Sequence, residues 1–307
     1  GNTILTHGIL SEEAGFEVNG RFEVQDMNLV LKKSMFNNLD YGMRASNGNG
    51  KIFNVSNSIF NYNSCGVFSS SVNDFKVTNS TFNIRPNFDP FVNPNADYIK
   101  TISVGVSSDN STGYTIINNE FNGISFPNQS FPPANTVGVN ISNSGEYPNI
   151  INNNSFDNLY GGTQALGTNR KENRYVKVGL RYYCNTFSNS LYGLYVTKHN
   201  AINPNIYGIC EEQGSVSVPA LNFFNNNIVD ICNKNCPLIH YVVSTNIPNT
   251  EPTKCDNDLL SLAYITSQDN NCGIIGITRT KPEWYYHIDL LRDQYALLLF
   301  NYNNLLD

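Results

Sequence analysis

The sequence predicts an all-β chain, a right-handed parallel β-helix (a solenoid) with a C-terminal α-helix, and three observations carry that expectation. A Phe recurs in related strings at Phe36, Phe60, Phe82, Phe121, Phe156, Phe187 and Phe224. Every one but the last is followed by a Gly preceding an apolar, strand-like run, and about one residue in six is Asn. The Phe spacings of 24, 22, 39, 35, 31 and 37 residues look irregular. Split at Gly42, Gly66, Gly105, Gly138, Gly161 and Gly193, they resolve into Gly-to-Phe intervals of 18, 16, 16, 18, 26 and 31 and Phe-to-Gly intervals of 6, 6, 23, 17, 5 and 6. The shortest turn is therefore 22 to 24 residues, with insertions at two phases. Such a period is the signature of a repeat architecture.

Between the markers lie KIFNVSNSIF, DFKVTNSTF and GYTIINNEF, in which apolar and polar residues alternate as in half-buried strands. Two to three such strands fit one coil. Stacked coils lie about 4.8 Å apart, so equivalent residues form ladders along the axis. Phe then gives an internal aromatic stack. Asn gives left-handed corners and amide ladders, and Gly is expected to make a tight corner before each following strand. A β-sandwich is the rival architecture.

By this reading residues 1–245 form the β-helix, with loop insertions at 84–100, 124–136, 163–178 and 197–214. A cysteine-containing tail or cap follows at 246–281. Residues 282–307 are expected to be helical, because Leu290, Leu291, Tyr295, Leu298 and Leu299 recur at helical spacing. The chain opens on Gly1 and stops inside that helix-like run, so it reads as part of a longer protein.

Composition bounds the function. Only 14% of the residues are charged and the formal net charge is -6, which provides no basic footprint for nucleic acid or anionic lipid. No apolar run is long enough to span a bilayer. His7, His199, His240 and His287 are isolated, and no HExxH, HxH or CxxC spacing occurs, so neither a metal nor another cofactor is expected. Glycoside hydrolysis needs two convergent carboxylates. Here Asp26, Asp40, Asp74, Asp89, Asp97, Asp109, Glu120 and Asp157 fall at scattered phases. Arg181 is a conceivable lyase base, but its strand brings no carboxylate. No catalytic residue is assigned, and a polysaccharide lyase or glycoside hydrolase is the alternative reading.

The insertions at 84–100 and 124–136 share a phase on neighbouring coils, which places them side by side on one flank. Their Phe88, Phe91, Phe126 and Phe131 are the candidate binding residues, offering a sugar-stacking or apolar surface. Cysteines crowd the C-terminal third. Cys184, Cys210, Cys232, Cys236, Cys255 and Cys272 are candidates for disulfides, with Cys232 able to bridge Cys236 or either of them to pair with Cys255 or Cys272. Such clustering suits an oxidising compartment.

One stretch carries a resemblance. VGLRYYCNTFSNSLYGLYV, then IYGICEEQGSVSVPALNFFNNNIVDI, then IHYVV, spaced cysteines and a Leu-rich helix resemble the Asn-rich β-helix segments of large secreted surface proteins of Bacteroidota. Cys184, Asn185, Phe187, Gln213, Gly214, Asn222 and Phe224 carry the match, and Leu221 stands where that group usually has Gly. The resemblance covers roughly residues 25–307. It implies a secreted or cell-surface stalk or adhesin, with glycans or surface proteins as partners and the type IX secretion machinery engaged through a downstream C-terminal region. It implies no catalytic residues.

Overall fold

The computed structural model describes residues 7–12, 16–25, 28–48, 51, 53–86, 102–124, 135–145, 147–170, 178–198, 207–215, 219–255 and 259–266. The segment expected to form the C-terminal helix lies outside the described residues. The chain winds through three parallel sheets in turn, which makes it a parallel β-helix. The first sheet has eight strands, His7–Glu12, Tyr41–Ser46, Cys65–Ser70, Ser103–Asp109, Thr136–Ser142, Gly161–Leu166, Tyr192–Thr197 and Val229–Lys234. The second has six, Phe16–Val18, Phe53–Ser56, Lys76–Thr78, Thr115–Ile117, Asn149–Asn152 and Leu180–Tyr183. The third has seven, Ser34–Asn37, Ser58–Asn61, Thr81–Ile84, Glu120–Gly123, Ser155–Asp157, Thr186–Ser188 and Phe223–Asn225. An antiparallel hairpin, Arg21–Gln25 with Asn28–Lys32, interrupts the first coil. Stacking continues past residue 245, because Glu212–Gln213, Ile239–Ser244 and Leu260–Ile265 pair in parallel.

The seven marker Phe residues are register partners on the third sheet. Their rings stack along the axis with centroids 4.7 to 5.6 Å apart, from Phe36 to Phe224. Phe60, Phe82, Phe121, Phe156 and Phe187 are at most 2% exposed. Where the second-sheet strands begin, Phe53, Phe75 and Tyr114 form a second aromatic run, flanked by Val55, Val77, Ile116 and Ile151. Each coil buries its inner face only against its neighbours, so stability is cooperative between adjacent coils.

The marker glycines do something other than turn a corner. Gly42, Gly66, Gly105, Gly138, Gly162 and Gly193 sit inside first-sheet strands, and none is among the glycines with positive φ. A Cβ on Gly138 would lie 2.6 Å from Cδ1 of Phe156 and 2.6 Å from the Gly162 carbonyl; Gly42, Gly66, Gly105 and Gly162 face Phe60, Phe82, Phe121 and Phe187 in the same way. The ring fills the space a side chain would need, across the lumen of the same coil. This also corrects the marker in YGG, because Gly162 meets the Phe187 ring, whereas a Cβ on Gly161 would find nothing nearer than 3.7 Å.

Corners belong mainly to Asn. Positive φ occurs at Asn57, Asn79, Asn118 and Asn153 between the second and third sheets, at Asn47, Asn110 and Asn143 after the first, and at Asn38, Asn158, Asn189 and Asn226 after the third. Asn tolerates the left-handed region better than other residues bearing a Cβ. Cys184 and Leu221 continue the first of these columns, at φ 55° and 50°. The corner before Asn222 is thus made with Leu at it.

The next residue in each turn points inward and builds a buried ladder. Backbone N–H groups of Asn119, Asn154 and Asn185 donate to Oδ1 of Asn154, Asn185 and Asn222 at 2.9, 3.1 and 3.0 Å, and their Nδ2 atoms donate to the same oxygens at 3.0 Å each. Nδ2 also reaches the carbonyls of Val77, Ile116, Ile151 and Tyr182. Ser58 and Ser80 take the same place in the earlier coils. All six side chains are at most 2% exposed. A buried amide is tolerated here because its donors and acceptor are used.

Candidate functional site

The insertions that carry Phe88, Phe91, Phe126 and Phe131 lie outside the described residues, but their stems do not. Both leave the third sheet, after Thr81–Ile84 and Glu120–Gly123, and rejoin the first at the paired strands Ser103–Asp109 and Thr136–Ser142. Ile124 N–H donates to the Ile84 carbonyl at 2.7 Å, and Ser103 N–H donates to the Asn135 carbonyl at 2.9 Å. The stems are therefore fixed beside one another where two central strands of the first sheet begin.

The outward residues of that sheet start at these strand ends. Tyr41, Cys65, Val104, Val137, Gly161 and Tyr192 are successive register partners, and three residues further along the strands Arg44, Phe68, Ser107, Asn140, Gln164 and Tyr195 are another such series. Cys65, Val104 and Val137 pack with Tyr41, Phe68 and Ile102 in a cluster separate from the lumen core. Burial pushes the Cys65 thiol up to about 12. The Arg44 guanidinium lies over both Tyr41 and Phe68, 5.2 and 5.6 Å from the ring centroids. At the other end, Tyr192 packs against Tyr160 and Tyr195 with centroids 5.9 and 5.3 Å away. Partial burial, then the neighbouring phenols, raise the Tyr195 pKa.

The third sheet offers a different outer surface. Asn61, Asn83 and Asn122 donate in turn to Asn37, Asn61 and Asn83 at 2.8, 2.7 and 3.3 Å, so these amides satisfy one another. Near its edge a shallow cleft of about 260 Å³ is lined by Lys33, Asn57, Asn79, Ser80, Thr81, Asn118 and Glu120. Lys33 Nζ donates to Thr81 Oγ1 at 3.2 Å and Thr81 Oγ1 donates to Glu120 Oε2 at 3.4 Å. Glu120 is the one carboxylate of this lining, and hydrolysis of a glycoside takes two. Arg181 directs Nε at Cys210 Sγ, 3.3 Å away. Among the described residues no three His, Cys, Asp or Glu side chains cluster as metal ligands, and no helix is long and apolar enough to cross a membrane.

The cysteines divide. Cys232 and Cys255 form a disulfide with Cα atoms 5.1 Å apart, 23 residues apart in sequence, joining the last strand of the first sheet to the coil that follows it. Cys184 is also disulfide-bonded. Cys210 and Cys236, expected among the bridged residues, are instead buried thiols; Cys232 pairs with Cys255, its neighbour one coil away, and so leaves Cys236 unbridged. Cys272 lies outside the described residues.

The sequence reading did not single out Arg44, Tyr41, Phe68, Tyr192 or Tyr195. Their signal was nonetheless present, at the outward positions around each marker Gly in YGMRAS, CGVFSS and YGLYVT. The three sheets and their ladders place the chain in the class of parallel β-helix repeat proteins. No family model, curated protein or solved structure matches the chain.

Proposed function

We propose that the chain is a non-catalytic β-helix module of a longer, exported bacterial surface protein, a rigid stalk or adhesin whose insertions contact glycans or other surface proteins. The observation that carries this is the unbroken Phe stack from Phe36 to Phe224, with fixed insertion stems at one flank. The ladders make a stiff axis, and loops held by a stiff scaffold are where recognition residues concentrate. The Cys232–Cys255 bridge supports an oxidising destination. Type IX export fits the sequence resemblance. Residues 1–245 would be the display body, 246–281 its cap, and 282–307 a helix leading onward.

The test pairs binding with turnover. On a glycan and surface-protein array, changing Phe88, Phe91, Phe126 and Phe131 together to Ala should abolish binding by the insertions; unchanged binding would remove the insertions from the proposal. Incubation with a panel of polysaccharides should release neither reducing ends nor unsaturated sugars. Release of either, sustained over many turnovers, would replace the module reading with an enzyme.

A further inference from the structure

We infer that the outer surface of the eight-stranded sheet is a binding strip for an extended, carboxylated polysaccharide lying along the coil axis. The inference rests on the display reading above and names the ligand chemistry of a different surface from the insertions.

The polar groups of this surface are unspent. Asn140 Oδ1 is buried on the strip and accepts no hydrogen bond, and among the described residues the Ser107 and Gln164 side chains make none. The third sheet proves the contrast, because its outer Asn amides, at the same strand spacing, are consumed by one another. Half-buried polar side chains on successive strands, Ser107, Asn140 and Gln164, match a ligand that presents hydroxyls at a regular interval. Adjacent strands lie about 4.8 Å apart, close to the rise of one pyranose in an extended chain.

Rings and charge complete the fit. Tyr192 and Tyr195 form an aromatic surface at one end, suited to the apolar face of a sugar ring. At the other end Arg44 is held between Tyr41 and Phe68. Among the described residues no acid or acceptor engages its guanidinium. A guanidinium stacked on rings keeps its in-plane N–H donors available, and its natural counterpart is a planar carboxylate held by two hydrogen bonds. Arg44 to Tyr195 spans five strand spacings, roughly 24 Å, long enough for an oligosaccharide of several residues. In a chain of net charge -6 an unpaired Arg on an otherwise uncharged column favours a ligand with spaced carboxylates over a densely charged one.

The test uses the whole chain and calorimetric titration with a hexamer of galacturonic acid, against a neutral cello-hexamer. The acidic hexamer should bind at least tenfold more tightly. Arg44→Gln should remove that preference, Tyr195→Ala should weaken both sugars, and Asn83→Ala on the third sheet should change neither. Equal binding of the two sugars, or a loss in Asn83→Ala as large as in Arg44→Gln, would overturn the strip. So would no binding by a folded wild-type chain, an outcome that leaves the insertion-based reading to its own Phe variants. Circular dichroism of each variant separates lost binding from lost fold.

Discussion

Asn153 and Asn154 are adjacent and do opposite things. Asn153 turns the corner at φ 52° with its side chain on the surface, donating to Asn118 Oδ1 at 2.8 Å. Asn154 is 2% exposed and links three coils. Asn153→Gly should therefore be nearly neutral and Asn153→Ala should cost about 1 kcal/mol, since Ala bears the left-handed penalty. Asn154→Ala should cost about 3 kcal/mol, because it leaves the buried Asn119 N–H and Nδ2 without their shared acceptor and removes the amide donor to the Ile116 and Asn152 carbonyls. Urea denaturation of the three variants checks the order. The paired Asn was legible in the sequence as a corner and a ladder. Which Asn did which was not, because alternation fixes a side chain's face only once the strand ends are known.

The element that recurs is a Gly strand locked to the Phe strand that follows it around the coil. Gly162→Ala should lose 3 kcal/mol or more, roughly the upper range for overpacking, while Gly161→Ala should leave the thermal midpoint almost unchanged. Equal effects would refute the assignment of the lock to Gly162. Phe156→Ala should cost about 3 to 5 kcal/mol, and in combination with Gly138→Ala the losses should be less than additive, because the missing ring makes room for the new methyl. The sequence displayed Gly and Phe as a linked pair and their interval was measurable. Their contact was hidden because it runs across the lumen, between residues 16 or more positions apart. The outer strip was harder still, since Arg44, Phe68, Ser107, Asn140, Gln164 and Tyr195 share a register and no residue type.

For the whole molecule, two features set how it fails. The Cys232–Cys255 bridge closes a loop one coil long, so Cys255→Ser should cost about 3 kcal/mol, and hydrogen exchange should rise first in 239–265. Cys65, buried with Val104 and Val137, should resist alkylation at pH 8 in the folded chain, its thiol being raised to about 12. Tyr114, Tyr182 and Tyr241 are buried, and burial raises each above its ordinary 10.0. The unfolded chain loses these phenolic protons near pH 10 and the folded chain holds them higher. Stability is thus full below pH 10 and falls as the pH rises beyond it. Phenolate absorbance should appear in step with loss of the β-sheet signal.

The inner amide ladder also has a sense. In the amide-to-amide bonds Asn119, Asn154 and Asn185 all donate toward the later coil, and the series runs out at Asn222, whose Nδ2 donates to the Tyr241 hydroxyl at 3.2 Å. Head and tail are therefore different chemical ends, like those of a polymer. A duplicated coil inserted in register finds an acceptor ahead and a donor behind, whereas one inverted or shifted by a residue finds neither. Evolution or an engineer can lengthen this rod a whole coil at a time, and Tyr241 is where the growing pattern is told to stop.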